Sequence, residues 1–233
     1  MKNSGLIGGL YVLSEWIMRF SVINLLWIFF NLPIVFIVVS ILFAEQMSNV
    51  SILLPLLLVI TPFLFFPATA AIFATVRDWI IDNDKENDGL IRSYWRYYKE
   101  NYRKSLLGGT FLTILWLIWG VDYYYFSQVS IILMFAFVIM GAVLFVYTIN
   151  FFSVAVHYNM KLGSILKNTL YVTIGSPLLF FTILLGNGLL LIMSFNTIHF
   201  LLPFFTWSLL AFISFSAFYR LYLSLTRNQG NKS

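Results

Sequence analysis

Residues 168–219 read NTLYVTIGSPLLFFTILLGNGLLLIMSFNTIHFLLPFFTWSLLAFISFSAFY and contain no Asp, Glu, Lys or Arg. As one continuous α-helix this stretch would reach ~78 Å at ~1.5 Å per residue, more than twice a hydrocarbon core of roughly 30 Å. It must therefore cross a membrane twice. The polar tetrapeptide SFNT at 194–197 is the place inside the run where a tight turn fits.

Three further uncharged runs cover residues 20–44, 46–76 and 123–160. About 18 or more consecutive apolar residues indicate a membrane span, whereas roughly 10 to 14 do not. Residues 105–122 supply one more apolar segment between charged neighbours. The sequence therefore predicts a single multi-pass domain over residues 1–233, with spans near 17–43, 53–76, 105–122, 130–152, 170–194 and 199–223.

The composition excludes an ordinary soluble domain. Hydrophobic residues make up 61% of the chain and charged residues 10%, against roughly 25% charged in soluble proteins. We therefore expect an all-α fold, an integral membrane bundle of about six transmembrane helices. The chain has no cysteine, which rules out disulfides and thiolate metal sites. No cofactor, metal or nucleic acid is predicted.

The positive charges fix the predicted orientation. All fourteen Lys and Arg residues fall on one side of the membrane when the six spans alternate in direction, while the opposite loops carry only Glu45 and Asp122. Short cytoplasmic loops collect Lys and Arg because these residues are unfavourable to translocate. We therefore expect both termini, and the segment 77–104, to lie in the cytoplasm.

The segment 77–104 combines an acidic loop at 82–88 with an amphipathic helix at 90–104. At 100° per residue its basic side chains form one stripe and its aromatic rings another. This pattern is typical of a helix lying in the membrane interface, with rings in the acyl boundary and basic groups on anionic lipid headgroups. A specific protein partner for the same surface stays open. The interfacial candidates are Arg92, Arg96, Lys99, Arg103, Tyr94, Trp95 and Tyr98.

Two other sets of polar residues invite a functional interpretation. Glu15 and Arg19 are spaced to pair on one helix face, and we expect an interfacial ion pair, with a gate or substrate contact as the alternative. His157 and His199 fall at opposite membrane surfaces and cannot share a metal. No carboxylate lies in the middle of a predicted span, which argues against a proton relay.

Helices two and five are expected to be interrupted. The first contains Pro55, Pro62 and Pro67, and the other contains Gly175, Pro177, Gly186 and Gly188. Paired interrupted helices in two three-helix halves indicate a midplane site in transporters. The alternative is that these residues serve helix packing alone.

The block from Phe66 to Arg77 is the predicted packing seam. Pro67 can start a helical turn, and Ala68 and Ala71 let a neighbouring helix approach closely. Thr69 is then expected to reach a polar group such as Asn24 or Asn31.

The motifs GGLY at 8–11, SEWIMR at 14–19, NLLW at 24–27 and FPATAA at 66–71 occur in the first third of the chain. Together with YW at 94–95 and SLLG at 105–108, they resemble the YesL-like family of bacterial multi-pass membrane proteins, a domain of unknown function. The resemblance implies a bacterial plasma-membrane protein without established activity. It also implies a role beside carbohydrate uptake or sensing, with a sugar ABC permease or a membrane sensor kinase as possible partner.

Two classes of function follow. We expect a non-enzymatic accessory or scaffold protein linked to bacterial carbohydrate uptake or sensing. The alternative is a small solute transporter or channel built on helices two and five. An intramembrane enzyme is a distant third, because no Ser/His or paired-carboxylate arrangement is seen at membrane depth.

Overall fold

The computed structural model describes residues 6–44, 47–81 and 89–230. The acidic loop at 82–88, which includes Lys85, lies outside these residues, as do Lys2, Glu45 and Lys232. The described part of the chain is helical throughout and contains no strand. Its helices are α1 (Leu6–Phe30), α2 (Leu32–Leu42), α3 (Met47–Ile81), α4 (Leu90–Val129), α5 (Ile131–His157), α6 (Leu162–Gly175), α7 (Pro177–Asn196), α8 (Leu201–Phe204) and α9 (Thr206–Gly230).

Within the described residues, six helices are long and apolar enough to cross a membrane, namely those that contain Gly8–Phe30, Val50–Ile81, Leu90–Val129, Ile131–His157, Pro177–Asn196 and Thr206–Arg227. The predicted all-α membrane bundle is therefore confirmed. The protein is a multi-pass membrane protein whose large exposed side chains are the ones expected to contact lipid.

The first and last predicted spans are each broken into two helices. The first breaks at Asn31, where Pro33 follows within the opening turn of α2 and has no N–H to donate to the preceding helix. The last breaks at Phe205, between α8 and α9. The prediction of two continuous spans at 17–43 and 199–223 is therefore wrong.

The predicted interruption of helix two is also wrong. α3 runs unbroken through Pro55, Pro62 and Pro67. Neighbouring helices hold it in this form, because Phe66 to Val76 lie in the centre of the bundle. The break predicted in helix five is present at Ser176, which separates α6 from α7 and whose hydroxyl accepts a hydrogen bond from the N–H of Leu179. Residues 170–175 of that predicted span thus belong to α6.

The segment 90–104 does not form a helix of its own. It is the first part of α4, which continues without a break to Val129. The prediction of a separate interfacial helix is therefore corrected, because the helical hydrogen bonds continue from the amphipathic segment into the span.

One end of the bundle carries the described basic residues, and we call it the basic end. Nη1 of Arg77, near the end of α3, donates to the carbonyl of Val156 near the end of α5. Nζ of Lys104 in α4 lies 2.8 Å from Oδ1 of Asn159. The ring of His157 lies 4.6 Å from that of Tyr222 in α9. These contacts bring the same ends of α3, α4, α5 and α9 together.

The core is built around the second half of α3. Its residues from Ala68 to Val76 are at most 3% exposed. Phe73 and Phe152 stack with their ring centroids 5.3 Å apart, which ties α3 to α5. Gly108 on α4 leaves room for the ring of Phe151, because a Cβ there would lie 2.2 Å from that ring. Small residues thus allow the large rings to fill the centre.

Candidate functional sites

The first half of α4 carries a buried tyrosine face. Tyr94, Tyr97 and Tyr98 share one side of the helix and are at most 9% exposed. The hydroxyl of Tyr94 donates to the carbonyl of Ala68 at 3.0 Å, and Tyr98 packs on Phe30 at 4.6 Å between ring centroids. Tyr94 and Tyr98 were predicted to lie in the acyl boundary of the membrane. They are instead inside the protein, because α1 and α3 cover this face.

Trp95 is the exception among the predicted aromatic residues. It is 44% exposed and stacks on Tyr98, with ring centroids 5.6 Å apart. The ammonium of Lys99 lies 4.7 Å from the centroid of the Trp95 ring, a cation–π contact. Trp95 therefore lies at the border between the buried face and the charged face of α4.

The opposite face of α4 carries four exposed basic residues, which we call the basic row: Arg92, Arg96, Lys99 and Arg103. Nε of Arg96 lies 4.0 Å from Glu100, a loose pair between exposed side chains. Arg92 and Arg103 form no ion pair with any residue that the structure describes. The row is thus an exposed strip of positively charged side chains on a helix whose other side is packed into the bundle.

A polar cluster fastens α4 to α3 and α5. The hydroxyl of Tyr97 donates to Oδ2 of Asp78, while Nε and Nη2 of Arg77 lie 2.9 and 2.7 Å from Oδ1 of the same carboxylate. Nη2 of Arg96 lies 3.0 Å from the Tyr97 hydroxyl. Since Arg77 also binds the carbonyl of Val156, the cluster connects three helices. It holds the basic row in a fixed orientation.

Sequence reasoning missed this cluster. Arg77 was considered only as a topology charge and as the end of the predicted packing seam, and Tyr97 and Asp78 were not singled out. The available signal was the pair of opposite charges at the end of an apolar span, facing a helix with a tyrosine at every turn.

The first half of α4 packs closely against the second half of α3. Tyr94 contacts the carbonyl of Ala68, Gly109 lies against the ring of Phe66, and Tyr97 reaches Asp78 further along α3. The close packing requires Gly109, because a Cβ there would lie 2.7 Å from Cβ of Phe66.

The predicted packing seam is buried. Pro67, Ala68, Thr69 and Ala71 all lie in the core. The hydroxyl of Thr69 accepts a hydrogen bond from Nε1 of Trp27 at 3.0 Å. The expectation that Thr69 reaches Asn24 or Asn31 is wrong, because the longer Trp27 side chain of the same helix occupies that position.

Asn24 has a different role that the sequence did not indicate. Its Nδ2 donates to the carbonyls of Leu202 and Pro203 at 3.0 and 2.7 Å. Its Oδ1 accepts from the backbone N–H groups of Trp207 and Ser208 at 2.9 and 3.3 Å. One side chain thus satisfies backbone groups on both sides of the break between α8 and α9.

Glu15 and Arg19 form an ion pair between Oε1 and Nη2. The guanidinium of Arg19 also lies 5.3 Å from the ring centroid of Trp16. Trp16 in turn packs edge-on against Trp79 of α3 at 5.8 Å. The pair therefore lies against an aromatic cluster that joins α1 to the basic end of α3.

A cavity of about 290 Å³ lies between α3, α4, α5, α7 and α9. Its wall is apolar and aromatic, with Trp116 and Trp207 among the lining residues and four threonines. Nε1 of Trp116 donates to the hydroxyl of Thr148 at 3.1 Å, and the buried hydroxyl of Thr113 has no partner among the described residues. No ionisable side chain of the described chain lines this cavity.

His157 is half-buried and His199 is exposed. Among the residues with described positions, no three His, Cys, Asp or Glu side chains are grouped so that they could hold a metal ion. His157 lies in an aromatic cluster with Tyr158, Phe218 and Tyr222. Burial, with a smaller effect of Tyr222, raises the pKa of the Tyr158 hydroxyl, so Tyr158 is uncharged at neutral pH.

The apolar helices and the hydrogen bonds and ion pairs between them define a multi-pass helical membrane protein. Residues 20–123 match the family described as "Protein of unknown function, DUF624". The resemblance to a YesL-like domain of unknown function, noted from the sequence motifs, is confirmed.

Two relatives from Bacillus subtilis (strain 168) extend this likeness over almost the whole chain. The uncharacterized protein YteU is 28% identical over 233 residues, which cover 99% of this chain and 92% of YteU. The uncharacterized protein YesL is 27% identical over 234 residues, which cover 95% of this chain and 93% of YesL. No solved structure matches the chain.

Proposed function

We propose that this protein is a non-enzymatic accessory component of a bacterial plasma-membrane assembly and binds its partner through the basic row of α4. The observation that carries the proposal is the placement of the row. Arg92, Lys99 and Arg103 are exposed, while the opposite face of the same helix is held in the core by Tyr94 and Tyr97. Because the backbone of this helix is already ordered, only the side chains of the row lose conformational freedom on binding.

The partner surface that fits the row is acidic. Complementary charge speeds encounter and selects the partner, more than it adds affinity. Acidic residues on a cytoplasmic domain or loop of another membrane protein would face this row if the basic end lies in the cytoplasm, as the distribution of Lys and Arg favours. The resemblance to the YesL-like family is the reason to expect a sugar ABC permease or a membrane sensor kinase in this role.

The central cavity supports a second candidate, a small solute transporter. A volume of about 290 Å³ is at the lower end of the range for small-molecule sites. Its wall of aromatic rings and threonine hydroxyls suits an uncharged solute. The accessory function is favoured because α3 is unbroken and its residues 68–76 are buried in the core between the cavity and the basic end.

The test is a native pull-down of the tagged protein from its own membranes in mild detergent, with mass spectrometry of the bound proteins. The double variant Arg92→Gln with Arg103→Gln removes two exposed charges from the row. The double variant Lys161→Gln with Lys167→Gln removes two exposed charges elsewhere at the basic end and serves as control. We expect one membrane protein at near-stoichiometric level with the parent and the control, and its loss with the row variant.

Other outcomes would overturn the proposal. Equal recovery of the partner with both double variants would show that the row is not the binding surface. Recovery of the protein alone, together with solute flux in proteoliposomes, would favour the transporter.

A further inference from the structure

A groove of about 480 Å³ lies between the start of α7 and the last turns of α9. The two helices are in close contact near their middles, where Nδ2 of Asn187 donates to the hydroxyl of Ser214 at 2.7 Å. Gly186 permits this approach, because a Cβ there would lie 3.2 Å from a methyl group of Ile213. The groove lies between this contact and the basic end.

The wall of the groove is mostly apolar. Leucines, an isoleucine and an alanine make up half of its lining residues, namely Leu178, Leu179, Ile213, Ala217 and Leu221. Thr182 and Ser216 add hydroxyls within it, and Ser176, Arg220 and Ser224 line the part nearest the basic end, where α7 begins and α9 ends. A mostly apolar wall with a basic group at the membrane surface is the combination that a membrane lipid with an anionic headgroup fits.

The polar mouth of the groove carries positive charge. Arg220 is exposed and has no ion pair within the residues that the structure describes. A second depression of about 770 Å³ continues from it and is lined by Arg220, Ser224, Thr226 and Arg227. No acidic side chain of the described chain lines either depression. Two guanidinium groups and three hydroxyls thus meet at the mouth.

We propose that this groove, which we call the α7/α9 groove, binds a phospholipid with an anionic headgroup. The guanidinium of Arg220 suits a phosphate, because its planar N–H groups can donate two parallel hydrogen bonds to phosphate oxygens. Arg227 and Ser224 then contact the rest of the headgroup, and one acyl chain lies against Leu179 and Ile213. The site depends on α7 and α9 and is independent of the basic row on α4.

The experiment uses the full chain purified in a neutral detergent and measures the rise in Tm on adding lipid, since a ligand of the folded state raises Tm. Phosphatidylglycerol is compared with phosphatidylcholine of the same acyl chains and with water-soluble glycerol phosphate. The variants are Arg220→Gln at the mouth, Ser216→Phe to fill the groove beside Ile213, and Lys161→Gln as an exposed control outside the groove. Native mass spectrometry counts the lipids that stay bound.

We expect phosphatidylglycerol to raise Tm more than phosphatidylcholine, and glycerol phosphate to have little effect. Arg220→Gln should weaken phosphatidylglycerol binding by roughly fivefold or more, which corresponds to about 1 kcal/mol per basic residue near an anionic lipid. Ser216→Phe should abolish the difference between the lipids, and Lys161→Gln should bind like the parent.

Three results would overturn the proposal. Equal rises in Tm with the two lipids would show that the groove makes only apolar contacts, with detergent or lipid alike. An equal rise in Tm with glycerol phosphate would show that the mouth of the groove binds a soluble phosphate instead of a lipid. Unchanged binding by both Arg220→Gln and Ser216→Phe would place the lipid elsewhere.

Discussion

Oδ1 of Asn24 accepts a hydrogen bond from the backbone N–H of Trp207 at 2.9 Å and so joins the first long helix to the last. Asn24 is fully buried. Backbone groups inside a bilayer must be satisfied within the protein, because no water is present to bind them. The break between α8 and α9 is stable because a side chain from α1 supplies its missing partners.

Replacing Asn24 by leucine should therefore destabilise the bundle. The change removes the acceptor for the N–H groups of Trp207 and Ser208, and each buried donor left without a partner costs about 1–3 kcal/mol. We expect a lower Tm in detergent, by several degrees at about 2–4 °C per kcal/mol for a chain of this size.

Asn196→Leu provides the matched control. Asn196 is exposed, and its Nδ2 donates only to the carbonyl of Ile192 in its own helix, at 3.2 Å. The same chemical change at this position should leave Tm nearly unchanged. Equal Tm values for Asn24→Leu and the parent would contradict the role given to Asn24.

Gly109→Ala should disturb the packing of α4 against α3. The new methyl group would lie 2.7 Å from Cβ of Phe66, which cannot move without the backbone of α3. Overpacking of this kind typically costs about 1–3 kcal/mol. Gly120→Ala in the same helix meets nothing within 4 Å and is the control. The measurement is the Tm of both variants in thermal unfolding. An unchanged Tm for Gly109→Ala would show that α4 does not approach α3 this closely.

Tyr97→Phe should loosen the polar cluster at the basic end. The variant keeps the ring but removes the hydroxyl that donates to Asp78 and accepts from Arg96. We expect a loss of about 1.5–3 kcal/mol, the range for a hydrogen bond to a charged group. Tyr124→Phe, at an exposed tyrosine of the same helix, should have no effect on Tm. Equal losses in the two variants would mean that the cluster does not stabilise the fold.

The orientation can be measured with single cysteines, because the natural chain has none. Ser164→Cys lies at the basic end and Gln128→Cys at the opposite end, and both positions are exposed. In intact cells a membrane-impermeant maleimide should label Gln128→Cys and spare Ser164→Cys. The reverse pattern would place the basic end outside the cytoplasm.

The all-α class and the number of helices able to span a membrane could be predicted because hydropathy depends on composition over a whole span. The breaks within the first and last spans could not be predicted. Asn31 and Phe205 interrupt helices in regions that are as apolar as their neighbours, and the partner that makes one break tolerable, Asn24, lies far away in the chain. Hydropathy contains no information on such a contact.

The candidate site was predicted in part. The spacing of Arg92, Arg96, Lys99 and Arg103 places them on one exposed face, as observed. The environment of Tyr94 could not be read from the same pattern, because a tyrosine suits a lipid interface and a protein core with one hydrogen-bond acceptor equally well. Only the position of α3, which offers the carbonyl of Ala68, decides between them.

The most direct test of the account is a photo-crosslinking amino acid introduced at position 99, in the middle of the basic row, and activated in living cells. The same amino acid at position 167 is the control, since Lys167 is exposed at the basic end but outside the row. We expect position 99 to crosslink to one membrane protein at high yield and position 167 not to do so. Crosslinks from position 99 to lipid alone, or to the same protein from both positions, would contradict the claim that the row is a partner-binding surface.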